Sequence, residues 1–69
     1  MDASSLRTVS QLADELPAFS EPALRRLIFD AETNGMNNAV VRVRRRVYID
    51  IKEFNRWLET HRGRSPQVN

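Results

Sequence analysis

Four arginines lie within five consecutive positions in the second half of the chain: Arg42, Arg44, Arg45 and Arg46. Their guanidinium groups repel one another unless an anion neutralises them. Each group can donate paired hydrogen bonds to a phosphate and suits insertion into a narrow DNA minor groove. Lysine would protect an exposed strand edge equally well, so the use of arginine alone favours contact with DNA or RNA. A solvated, edge-protecting cluster is the alternative interpretation.

A second basic pair, Arg25-Arg26, follows Ser20 in a segment with helical spacing. In a helix, Arg26 and Phe29 lie on the face opposite the buried stripe, and Arg25 lies at its flank. Arg26 then suits guanine O6 and N7 in a major groove, and Arg25 suits a phosphate. An intrahelical ion pair between Arg26 and Asp30 explains the pair equally well. An exposed Phe29 would contact thymine methyl groups or DNA sugars, or pack against a second copy.

The residue sets that most catalysts and metal sites use are missing from the sequence. It contains no cysteine and only one histidine, His61, which leaves no thiolate nucleophile and no histidine cluster. The acidic pairs Asp14-Glu15 and Asp30/Glu32 belong to separate helix faces, whereas acid–base catalysis needs carboxylates in one shared cleft. We therefore predict a protein that is not an enzyme and has no cofactor, no metal and no small-molecule substrate.

Charge is polarised along the chain. Residues 1–33 carry six acidic and three basic side chains, a net charge of −3, whereas residues 34–69 carry three acidic and eight basic ones, a net of +5. This asymmetry predicts that the second half meets a polyanion, most often nucleic acid. No apolar run exceeds three residues, so the sequence predicts no membrane contact and a cytoplasmic location.

Hydrophobic spacing and capping residues predict two helices ahead of the arginine cluster. Apolar residues recur with helical spacing over 9–16, Thr8 and Gln11 have the spacing of a capping box, and Pro17 ends the helix. A second helix begins at the N-cap Ser20 and continues to the stop signal Asn34-Gly35. The short connection makes the two helices a helix-turn-helix candidate.

Strict alternation replaces the helical period after residue 38. Pairing Val43 with Val47, and Val41 with Ile49, puts four aliphatic side chains on one buried face of a β-hairpin. This register leaves the three residues 44–46 at the tip, where a left-handed residue is usual. An arginine in that conformation would cost on the order of 1 kcal/mol.

A third helix follows the hairpin and completes the predicted domain. Asp50 and Glu53 mark its start, and Gly63 marks its end. Phe54 and Trp57 lie on its apolar stripe and, together with Phe19, should form much of a small core. The predicted order is helix, helix, β-hairpin, helix over residues 8–62, with a disordered N-terminus at 1–7 and a flexible tail at 63–69.

Several segments together resemble the small AlpA/excisionase-like DNA-binding proteins, phage- and mobile-element-linked relatives of the MerR-type winged helix-turn-helix fold. The resemblance covers roughly residues 8–60. The segments that carry it are Thr8-Val9-Ser10-Gln11-Leu12-Ala13, Phe19-Ser20, Leu24-Arg25-Arg26-Leu27-Ile28, the Val-Arg-Val-Arg-Arg-Arg-Val stretch at 41–47, Ile49-Asp50, Phe54 and Trp57-Leu58.

The resemblance implies an α+β winged helix-turn-helix domain that places a recognition helix in the major groove and a wing at the backbone or the adjacent minor groove. Leu24-Arg25-Arg26 matches the recognition helix, and Arg45-Arg46 matches the basic wing. Arg44 stands where the family has a turn glycine. The residues expected to contact DNA are Ser20, Pro22, Ala23, Arg25, Arg26, Phe29, Arg42, Arg44, Arg45 and Arg46.

The expected function is sequence-specific binding of double-stranded DNA, as a transcriptional regulator or as an excisionase-like recombination directionality factor. A domain this small should bind weakly alone, so further copies on adjacent sites, a recombinase or a polymerase are the expected partners. The alternative is a protein-interaction adaptor or antitoxin-like module whose basic hairpin docks an acidic partner. Steep salt dependence of binding indicates DNA, and weak salt dependence indicates the protein partner.

Overall fold

The computed structural model describes residues 1–62 of the chain, so the predicted tail at 63–69 lies outside the described residues. In that range it has a small α+β fold of four helices and one antiparallel sheet of three strands in the order β1-β3-β2. Short 3-10 turns lie at Ala3–Ser5 and Met36–Ala39. The helices and strands are β1 (Leu6–Thr8), α1 (Val9–Glu15), α2 (Glu21–Phe29), α3 (Ala31–Asn34), β2 (Val40–Val43), β3 (Arg46–Asp50) and α4 (Ile51–Glu59).

The prediction that residues 1–7 are disordered is wrong for most of that segment. Ala3–Ser5 form a 3-10 turn, and β1 then pairs antiparallel with β3. The backbone N–H of Ser4 donates to Asp2 Oδ1 at 3.0 Å, which lowers the pKa of the Asp2 carboxyl below its ordinary value. A three-residue strand is too short to show a period of its own, and its partner lies some forty residues further along the chain.

The predicted starts of the first two helices are confirmed. Thr8 Oγ1 accepts from the Gln11 backbone N–H at 3.1 Å, and Gln11 Oε1 accepts from the Thr8 N–H at 3.0 Å. Ser20 Oγ accepts from the Ala23 backbone N–H at 3.2 Å. The Thr8–Gln11 pair is reciprocal, and all three bonds satisfy backbone donors at a helix start.

The second helix is divided where the sequence predicts continuity. Asp30, with φ −96° and ψ 17°, ends α2 and begins the short α3. Gly35 ends α3 in the left-handed conformation at φ 84°, as predicted. Trp57 Nε1 donates to the Asn34 carbonyl at 2.8 Å, and Asn34 Nδ2 donates to the Leu27 carbonyl at 3.1 Å. These two bonds hold the corner between α2 and α3 against α4.

The predicted hairpin register is wrong by one residue. Val43 pairs with Arg46, so the loop contains only Arg44-Arg45 instead of three residues. Because side chains alternate across a strand, Val41 and Val43 lie on the sheet face opposite to the buried Ile49. Val43 is 50% exposed as a result.

Arg44 adopts the left-handed conformation, with φ 57°, and is the only non-glycine residue of the described part to do so. Both favoured types of two-residue hairpin loop need a positive φ at the first loop residue. The prediction that an arginine occupies a strained tip position is therefore confirmed, although the loop is shorter than expected.

Replacing Arg44 with asparagine is expected to raise the free energy of unfolding by about 0.5–1 kcal/mol, because asparagine tolerates the left-handed region better. Urea denaturation followed by Trp57 fluorescence measures the difference. The matched control is Arg45→Asn at the neighbouring position, whose φ is not positive; its stability should stay within about 0.5 kcal/mol of the parent. Equal stability of the two variants would show that the Arg44 conformation stores no strain.

The core lies between the helices and one face of the sheet. Phe54 is fully buried at its centre, with the Phe19 ring edge-on at a centroid distance of 5.5 Å and the Trp57 ring at 5.9 Å. The predicted aromatic contribution to the core is therefore confirmed. The other buried apolar residues are Val9, Leu12, Leu24, Ala31, Met36, Ala39 and Ile49.

The last helix begins as predicted and ends earlier. Asp50 Oδ1 accepts from the Lys52 and Glu53 backbone N–H groups at 3.0 and 3.4 Å. The helix ends at Glu59 rather than at Gly63, because residues 60–62 donate three residues back instead of four.

Candidate nucleic-acid interface

The arginines of the described chain fall into two groups. All those outside the hairpin lie within 3.4 Å of a carboxylate oxygen, whereas Arg42, Arg44, Arg45 and Arg46 have no carboxylate within 4.0 Å among residues 1–62. All four side chains are exposed. The pairs are Arg7 with Glu15, Arg25 with Glu21, Arg26 with Asp30, Arg56 with Glu53 and Arg62 with Glu59.

The α2 arginines point along the helix in opposite directions. Arg25 Nη2 lies 2.7 Å from Glu21 Oε2, towards the start of α2, and Arg26 Nε lies 3.0 Å from Asp30 Oδ2, towards its end. The ion pair that was the alternative explanation for Arg26 is therefore present. Both arginine side chains remain mostly exposed, and exposed pairs of this kind contribute only about 0.3–0.5 kcal/mol. A phosphate or a base edge can replace either carboxylate at small cost.

Phe29 is exposed as the sequence predicts, at 78% of its full accessibility. The Arg26 guanidinium carbon lies 5.5 Å from the centre of its ring, within the range of a cation–π contact. The aromatic ring and the guanidinium therefore form one exposed unit on α2.

A shallow groove of about 260 Å³ lies between the middle of α2 and the hairpin. Arg25 lines it together with Arg45 and Arg46, so guanidinium groups from two elements face the same space. The other lining residues are Thr8, Val9, Ser10, Val47 and Tyr48.

A second depression, of about 230 Å³, lies at the end of α2. Phe29 and Asp30 line it beside Arg42 of the hairpin, with Thr33 and Asn37 adding polar side chains. Hairpin arginines therefore lie beside α2 at Arg25 and again at the end of the helix.

The remaining predicted site residues do not line these depressions. Ser20, Pro22 and Ala23 belong to the exposed start of α2, and Arg44 is at the tip of the hairpin. Sequence reasoning missed Ser10, whose exposed side chain lines the first groove. Nothing in the sequence spacing links Ser10, in the first turn of α1, to residues 45 and 46, because only the tertiary fold brings them to one groove.

Two further features of residues 1–62 bear on chemistry and location. No three histidine, aspartate or glutamate side chains of that range are grouped so that they could hold a metal ion. None of the described helices has the length and apolar character needed to cross a membrane.

Comparisons with known proteins return no match: no family model fits the chain, and no curated protein or solved structure is significantly similar to it. The features that bear on function are therefore those of the chain itself. It has a small α+β fold, a hairpin whose four arginines have no carboxylate partner among residues 1–62, and an exposed helix beside it that carries two more arginines.

Proposed function

We propose that this protein is a non-enzymatic, sequence-specific DNA-binding protein of winged helix-turn-helix type. In this proposal α1 and α2 are the helix-turn-helix, and the hairpin formed by β2 and β3 is the wing. The α+β fold and its element order are compatible with that arrangement.

The observation that carries the proposal is the contrast between paired and unpaired arginines. Among residues 1–62, the chain pairs its other arginines with carboxylates and leaves four exposed arginines of one hairpin unpaired, one of them in a strained conformation. Strain and like-charge repulsion persist in a structure only where something else compensates them. Backbone phosphates compensate both through charge-assisted hydrogen bonds and the release of counterions.

The dimensions of α2 suit the major groove. With its side chains an α-helix is about 10–12 Å in diameter, so α2 fits a major groove that is about 12 Å wide. With α2 in the groove, Arg26 faces base edges, where guanine O6 and N7 are its natural acceptors. Arg25, Arg45 and Arg46 share the adjoining groove and are placed for phosphates on its rim.

A transcriptional regulator and an excisionase-like recombination directionality factor would use this same surface. A single module of this size buries about 600–1,000 Å² on DNA. Further copies on adjacent sites, or a recombinase or polymerase, would then supply the remaining affinity, and we place the protein in the cytoplasm with its DNA.

A protein-interaction adaptor is the second candidate, and a specific observation favours it. Phe29 and Val43 expose 78% and 50% of their accessible surface, and interface cores are enriched in aromatic and aliphatic groups. An acidic partner docked on the hairpin would use these apolar groups together with the unpaired arginines.

A salt titration of binding to a random-sequence duplex separates the two candidates. If four to six phosphates are neutralised, log K against log salt concentration should have a slope of roughly −4 to −5. Fluorescence anisotropy of a labelled duplex measures K at each salt concentration. The absence of binding at low salt would contradict the DNA-binding proposal and favour the adaptor.

A further inference from the structure

Arg26, Phe29 and Asp30 form a connected group on the exposed face of α2. Asp30 Oδ2 accepts from Arg26 Nε at 3.0 Å, and the guanidinium carbon lies 5.5 Å from the centre of the Phe29 ring. The carboxylate therefore restrains the guanidinium from one side while the ring supports it. A guanidinium held in this way loses less freedom when it binds.

The ion pair with Asp30 leaves the two terminal amino groups of Arg26, the fork that binds a base edge, free to donate. Among the described residues it engages Nε alone, so both terminal amino groups can still donate. Arg25 differs, because its terminal Nη2 is the atom bound to Glu21. Of the two α2 arginines, Arg26 is thus the one prepared for two parallel hydrogen bonds to guanine O6 and N7.

We propose that this group reads a two-base feature, a guanine followed or preceded by a thymine. Arg26 binds the guanine, Asp30 positions Arg26, and the Phe29 ring contacts the 5-methyl group of the neighbouring thymine. The proposal rests on DNA binding through α2 and specifies what α2 recognises.

The exposure of Phe29 supports the methyl contact. An aromatic ring that is 78% exposed on a helix face contributes little to the core, yet it lies beside Arg26, the α2 arginine whose two terminal amino groups are free among the described residues. In the major groove the thymine methyl is the apolar feature that distinguishes thymine from cytosine. Burying one methyl group corresponds to a change of about three- to fivefold in affinity.

The test begins with duplexes selected by the full chain from a randomised pool. In the best-bound sequence, each thymine is replaced in turn by deoxyuridine, which lacks only the methyl, and each guanine by 7-deazaguanine, which lacks only the N7 acceptor. Replacing one thymine that lies next to a guanine should lower the affinity by about three- to fivefold. Replacing that guanine with 7-deazaguanine should lower the affinity by about fivefold or more.

Variants at the three positions assign these losses. Phe29→Ala should abolish the deoxyuridine effect while leaving the salt slope unchanged, because no charge is removed. Asp30→Asn keeps the size of the side chain, and Asp30 makes no side-chain capping bond at the start of α3. It should raise binding to random duplexes, since a negative charge is lost, yet weaken discrimination against 7-deazaguanine. If Asp30 had only a structural role, Asp30→Asn would not strengthen binding to random duplexes and at the same time weaken discrimination against 7-deazaguanine.

A deoxyuridine effect that persists in Phe29→Ala, or no effect beside any guanine, would overturn the inference. Steep, salt-dependent binding in the same experiments would leave the DNA-binding proposal standing. Failure of every duplex to bind would overturn both.

Discussion

Replacing Arg44, Arg45 and Arg46 with alanine is expected to weaken binding to a random-sequence duplex by about two to three orders of magnitude at 0.1 M salt. Each phosphate contact contributes about 0.9 to the slope of log K against log salt concentration, so the slope should become shallower by about two to three units. The three side chains are exposed and unpaired within residues 1–62, so their removal should leave the fold intact. Circular dichroism checks that point.

The matched control is the triple variant Lys52→Ala, Arg56→Ala and Arg62→Ala. It removes the same number of positive charges from exposed positions in and just after α4, none of which belongs to the hairpin. Both variants therefore change the net charge of the protein equally. They differ in where the charge lies and in that Arg56 and Arg62 are paired with Glu53 and Glu59. We expect the control to retain most of the parent slope. An equal effect of the two variants would indicate a diffuse charge effect rather than a wing.

Replacing Phe54 with alanine is expected to unfold the protein at 25 °C. Replacing a buried phenylalanine with alanine lowers the free energy of unfolding by about 3–5 kcal/mol. The core of a domain this small rarely contributes more stability than about that amount. Phe54 is fully buried and contacts the rings of both Phe19 and Trp57, so no neighbour can fill the cavity without leaving its own site. Thermal denaturation followed by far-UV circular dichroism measures the loss.

Phe29→Ala is the control for Phe54→Ala, since it removes the same atoms from an exposed position. Its stability should stay within about 0.5 kcal/mol of the parent. A cooperative transition in Phe54→Ala that is only a few degrees lower would contradict the central role of this ring in the core.

The sequence by itself predicts the features that depend on residues within one helical turn. The Thr8–Gln11 capping box, the Ser20 cap, the Gly35 stop and the Asp50 cap are each made by groups no more than four positions apart. Interactions at that range form in any context that lets a helix begin or end, so residue type and spacing are sufficient to predict them. The exposed face of α2 and its Arg26–Asp30 pair follow from the same local periodicity.

The hairpin register depended on the tertiary structure, because the alternation alone favours the pairing that puts all four aliphatic residues on one face, and the fold adopts the pairing one residue away. Burial of Ile49 against the helices and the geometry of a two-residue loop select the pairing of Val43 with Arg46. Strand β1 likewise forms because it pairs with the edge of β3 that β2 leaves open, although its three residues show no periodicity of their own.

The candidate site shows the same division between local and long-range effects. Each arginine cluster is evident in the sequence, but Arg25 and Arg45 belong to elements about twenty residues apart. Their approach across one groove requires α2 and the hairpin to pack on the same core. Sequence spacing therefore identified the charged residues, and tertiary packing decided which of them face the same partner.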